Sequence, residues 1–62
     1  MTKYTWLKKH ADSIGHKWEL DGVLCPQLED AHLLKALNFA AKSNYELVCK
    51  EDENTYIMRY NW

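Results

Sequence analysis

Sixty-two residues with a formal net charge of −1 make one small domain. That is too short for a cofactor cleft between two lobes, and it lacks the overall basic footprint of a dedicated DNA-binding protein. Apolar residues are 47% of the chain and eight residues are aromatic, against two Gly and one Pro, which excludes a disordered, collagen-like or linker sequence. A chain of this size buries only roughly 60% of the surface its unfolded form exposes, so its core must be dense in large side chains.

In chain order, Tyr4, Leu7, Ala11, Ile14 and Trp18 recur at gaps of three and four, and the spacing predicts an amphipathic helix over 3–14 stopped by Gly15. Trp18, Leu20 and Leu24 fall two or four apart around Asp21-Gly22, a dipeptide favoured in tight turns, so a short strand or hairpin is expected over 16–25. Pro26 suits a first helical position, Glu29 and Asp30 complement the positive end of a helix dipole, and Asn44 is a natural stop. A long central helix is therefore expected, with Leu33, Leu34, Ala36, Leu37, Ala40 and Ala41 as its core face and Leu28, His32, Lys35 and Phe39 opposite.

Residues 45–62 alternate, and a turn at 51–54 predicts a C-terminal antiparallel β-hairpin. Its register would pair Cys49 with Tyr56, Leu47 with Met58 and Tyr45 with Tyr60 on one face, and Val48 with Ile57 on the other, with Glu46 opposite Arg59. The expected fold is thus one α+β domain over 1–62: N-terminal helix, short strand or hairpin, long central helix, C-terminal hairpin.

No apolar run approaches the roughly 18 residues of a membrane span, and none resembles a signal peptide's hydrophobic region, so a cytoplasmic protein without a membrane partner is expected. Cys25 and Cys49 read as buried thiols of a reducing compartment. His10, His16, His32 and the two cysteines are enough in number for a zinc site, but no two come in the close pairs that structural zinc uses, so no metal and no cofactor is expected. Cys25, beside an expected helix N-terminus, is the most chemical side chain, yet it sits between Leu24 and Leu28 in an apolar setting and the chain offers little volume for a pocket. No catalytic residue is assigned, and the protein is read as a non-enzyme.

Two functional readings remain. The aromatic surplus of Trp6, Phe39 and Trp62, the pair Val48 and Ile57, and the acidic tip Glu51, Asp52 and Glu53 suit a protein-binding module, an inhibitor or modulator acting by steric occlusion on a partner or meeting a second copy as a homodimer. The bland alternative is that Trp6, Phe39 and Trp62 cover one another as a second small core. The other functional reading is nucleic-acid binding or transcription modulation through Lys3, Lys8, Lys9, Tyr4 and Trp6, because residues 1–18 carry a local charge of +3 against −4 for the remainder. In size, aromatic richness and lack of a catalytic motif, the chain resembles the small accessory proteins with which bacteriophages and other mobile elements disable host machinery, a resemblance carried by no specific motif.

Overall fold

The computed structural model describes all residues 1–62. Its elements are β1 (Thr2–Ala11), β2 (His16–Leu20), β3 (Val23–Cys25), a 3-10 turn (Pro26–Leu28), α1 (Leu33–Ala41), β4 (Tyr45–Asp52) and β5 (Thr55–Asn61). The strands form one antiparallel sheet in the order β3-β2-β1-β5-β4. Strand accounts for 53% of the chain and helix for 19%, so the molecule is a sheet carrying one short helix.

The expected N-terminal helix is the central strand. β1 pairs with β2 from Leu7↔Leu20 to Ala11↔His16 and with β5 from Thr2↔Asn61 to Lys8↔Thr55. Thr2, Tyr4, Thr5 and Trp6 favour a pleated backbone, and the flanking strands complete its hydrogen bonds. Of the residues that mimic a helical stripe, only Leu7 and Trp18 are buried; Ile14 is 92% exposed on the β1–β2 loop. Gly15, expected as a helix cap, lies in that loop, where a Cβ would overlap the Asp30 carboxylate.

The hairpin at Asp21-Gly22 forms as its dipeptide predicts: Leu20 pairs with Val23 across a two-residue turn with φ of +54° and +79°. Positive φ at both positions is what a type I′ turn demands, and Asp and Gly tolerate it.

The long central helix is broken by tertiary contacts. Pro26 starts only a 3-10 turn, and Asp30 adopts φ +56°. Its carboxylate accepts the His16 backbone N–H at 2.9 Å, while the Ala31 carbonyl accepts from the Trp18 indole at 2.8 Å and from His16 Nε2 at 2.5 Å. These bonds tie the segment to the end of β2 and leave Leu33 to begin the helix proper. His32 caps it, Nδ1 accepting the Lys35 N–H at 3.1 Å, and Asn44, at φ +68°, follows its end.

The core lies between the sheet and α1. Leu7, Trp18, Leu20, Cys25, Tyr56 and Met58 come from the sheet and meet Leu28, Ala31, Ala36 and Ala40. Ala36 and Ala40 are wholly buried, and having no side chain beyond Cβ they let the helix approach closely. Leu28, assigned to the outer helix side, is buried because the 3-10 turn redirects it, whereas Leu34 and Ala41, assigned to the core, are exposed.

The C-terminal hairpin keeps the expected pairs Tyr45↔Tyr60, Glu46↔Arg59 and Leu47↔Met58. Bulges at Val48 and Glu51 then shift the register, so Cys49 opposes Ile57, Lys50 opposes Tyr56 and Asp52 opposes Thr55. The expected Cys49–Tyr56 and Val48–Ile57 pairs therefore do not form. Leu47 is 44% exposed, not a core residue, and Cys49 is exposed, not buried. No helix is long and apolar enough to cross a membrane.

Candidate functional site

Because side chains alternate across a pleated strand, the face opposite α1 is read directly from the register. β1 contributes Tyr4, Trp6, Lys8 and His10 to it; cross-strand neighbours are Arg59, Ile57, Thr55, Lys17 and Glu19, with Leu24 and Cys49 on the outer strands. No element covers this face. Tyr4 is 62% and Trp6 49% exposed, and Leu24 and Val48 are similarly open. Tyr4, Thr5, Trp6, Glu51 and Ile57 line a shallow groove of about 340 Å³.

Polar groups frame the apolar row. Lys8 Nζ stands 4.6 Å from the centroid of the Trp6 ring, a cation–π contact. Arg59 pairs with Glu46, and His10 Nε2 meets Glu19 at 3.1 Å. Arg59 Nε is the one buried side-chain donor without an acceptor.

The residues expected to bind a partner separate. Trp6, Ile57 and Glu51 come together around the groove, and Val48 stands exposed as the bulge residue opposite the same stretch of β5. Phe39 instead packs from α1 against the core, and Trp62 stacks on Tyr60 with centroids 5.5 Å apart, so these three aromatics form no second core. Asp52 ends β4 and Glu53 lies in the β4–β5 turn. Asp52 Oδ1 accepts the Asn54 N–H at 2.9 Å; this bond, then one to Thr55, holds its carboxyl below the usual range, so it is a turn builder.

The basic set divides as well. Tyr4, Trp6 and Lys8 share the bare face, but Lys9 pairs with Trp18 and points to the covered side. Lys3 bonds to Asp21 Oδ2 at 2.7 Å. Asp21 also accepts from Thr5 Oγ1 at 2.8 Å and from the Tyr45 hydroxyl at 3.3 Å, and these hydrogen bonds, that of Lys3 foremost, lower its pKa. The same bond raises the pKa of Lys3. Lys3 is thus engaged at this turn, on the opposite face of β1 from Tyr4, Trp6 and Lys8.

The spacing grouped Arg59 with Ile57 correctly but missed Leu24 and Cys49 on this face, and it placed Tyr4 and Leu7 on one helical stripe when they stand on opposite faces of a strand. The alternation Tyr4–Trp6–Lys8 against Thr5–Leu7–Lys9 was the signal. The histidines and cysteines lie apart, and no three His, Cys, Asp or Glu residues gather as metal ligands. Cys25 is buried with Sγ 3.6 Å from the Val23 carbonyl, and the element after it is a three-residue turn without a helix dipole to activate the thiol. Compared with protein-family models, curated proteins and solved structures, the chain matches none of them.

Proposed function

We propose that the chain is a non-enzymatic protein-binding module of the cytoplasm whose working surface is the bare face of the sheet, and that it modulates a larger assembly by occluding part of it. One observation carries this reading: the exposed Tyr4 and Trp6 form with the half-buried Ile57 a continuous row on the bare face at the centre of the sheet, with charged residues around it. A central aromatic anchor inside a polar rim is the composition of protein interfaces.

Nucleic-acid binding is the second reading, favoured by Tyr4, Trp6 and Lys8 sharing one face, since flat aromatic rings beside a cation can stack bases. The charge around them disfavours it. Lys8, Lys17 and Arg59 are offset by Glu19, Glu46, Glu51 and Asp52, whereas a backbone of phosphates needs a basic surplus. A photo-crosslinking residue in place of Tyr4, activated in the living cell, separates the two. Protein adducts that disappear on adding Ile57→Lys are expected; adducts to RNA or DNA that survive that change would overturn the reading.

A further inference from the structure

The covered face of the sheet supplies every sheet residue of the core, which leaves Tyr4, Trp6 and Leu24 of the bare face exposed, with no element of the chain above them. We propose that in the isolated protein this face is closed by a second copy of the same chain, two sheets packing face to face about a two-fold axis. The proposal rests on reading the face as a protein interface and names its occupant.

Area is the first argument. A ten-residue β1 rising about 3.3 Å per residue, in a five-stranded sheet with strands about 4.8 Å apart, presents a face on the order of 600 Å² once the short outer strands are allowed for. Two such faces bury roughly 1,200 Å², the lower end of the standard range for specific complexes, which corresponds to a weak dimer.

Charge is the second. A two-fold interface sets one patch against its own copy, so a patch with net charge repels itself. This face sets Lys8, Lys17 and Arg59 against Glu19, Glu46, Glu51 and Asp52, with His10 on Glu19, which leaves it close to balance. Neither a polyanion nor a strongly basic groove is matched by such a surface, whereas a copy of itself is.

The sheet edges point the same way. β4 is interrupted by bulges at Val48 and Glu51, and β3 has three residues, so neither edge offers a long regular ladder for strand addition. Association by the face is what remains.

Sedimentation equilibrium on the full chain tests this over roughly 1 to 200 µM, the range in which small interfaces of this size dissociate. The mass of the wild type is expected to rise from 7.4 kDa towards twice that value. Ile57→Lys and Trp6→Glu should each raise the dissociation constant at least about tenfold, the minimum loss for a central anchor, with unchanged far-ultraviolet circular dichroism. If one variant unfolds, the other carries the test.

Cys49 opposes Ile57 and is exposed, so it reports independently: its alkylation should slow as wild-type concentration rises and stay fast in the folded variant. A wild type that remains monomeric at the highest concentration, or a dimer indifferent to both substitutions, would overturn the proposal. A monomer that still gives protein adducts from position 4 in cells overturns self-association alone and leaves the proposed function standing.

Discussion

The two faces of this sheet are made by the same five strands and differ in almost every physical respect. On one, Leu7, Trp18 and Met58 lie wholly buried beneath Ala36 and Ala40 of α1; on the other, Tyr4, Trp6 and Ile57 have nothing above them. Tyr4, Trp6 and Leu7 fall within four consecutive residues of one strand, yet Leu7 is sealed in the core while Tyr4 and Trp6 stand exposed. A small chain with a ten-residue core cannot cover both faces with one nine-residue helix, so an open face follows from the shortage of covering material.

The contrast breaks first, and by the largest amount, on the covered face. Met58→Ala and Leu7→Ala each remove a fully buried side chain under the helix and are expected to cost about 2–5 kcal/mol in urea unfolding, enough to unfold much of so small a domain. A loss below about 1 kcal/mol at both positions would mean that α1 does not press on the sheet as described.

The next effect is at Gly15, where added volume acts at the rim of the core. An alanine Cβ would overlap the Asp30 carboxylate, which would have to leave the His16 N–H that it accepts at 2.9 Å. The expected cost is roughly 1–3 kcal/mol, the penalty of a displaced charged acceptor, and Asp30→Asn, which keeps a residue tolerant of the positive φ there, should add little in the Gly15→Ala background because the same bond is already lost.

Smaller again is the turn that closes β2 onto β3. Asp21 is ionised and bonded by Lys3, Thr5 and Tyr45, which lowers its folded-state pKa below the usual value near 3.9. Its contribution is therefore complete at neutral pH and is lost as pH falls through the lowered folded value; Asp12 and Asp52, bonded by backbone N–H groups, act in the same direction. Lys3, raised first by its bond to Asp21, and Tyr45, raised first by desolvation, contribute stability that is present below about pH 10 and lost above it. Asp21→Asn keeps a residue tolerant of positive φ while removing the charge. It should lower stability at pH 7 by about 1 kcal/mol after solvent screening and flatten both limbs of the stability profile between pH 2 and 11. An unchanged profile would mean that the three bonds do not persist in solution.

How much of this was legible depended on whether a pattern had one reading. The Asp21-Gly22 hairpin and the first three pairs of the β4–β5 hairpin were legible, because a type I′ dipeptide and clean alternation each point one way. β1 was not. Its inward side offers Thr5, Leu7 and Lys9, of which only Leu7 is apolar, while its outward side mixes Tyr4 and Trp6 with Lys8 and His10; the spacing of Tyr4, Leu7, Ala11 and Ile14 then passes for a helix. The break in the long helix at Asp30 and Ala31 depends on partners 13 to 15 residues away in β2, which local propensity cannot register. Of the candidate site, Trp6, Ile57, Val48 and Glu51 were legible as surplus aromatic, apolar and acidic residues, but their grouping with Tyr4 on one face needed the strand.

The smallest stability effect is expected where the functional claim is largest. Trp6 is half exposed, and its identified contact is the cation–π pairing with Lys8, worth about 0.5–1 kcal/mol at an open site. In dilute solution Trp6→Ala should therefore cost no more than about 1 kcal/mol, and Leu47→Ala, 44% exposed at the outer edge of the covered face, a similar amount. Concentration separates these two variants. A chain that associates through the bare face gains stability by mass action, so the melting temperature of the wild type and of Leu47→Ala should climb with protein concentration, while that of Trp6→Ala stays level. If Trp6→Ala proved as damaging as Met58→Ala at every concentration, Trp6 would belong to the folding core and the two faces would not divide stability from binding.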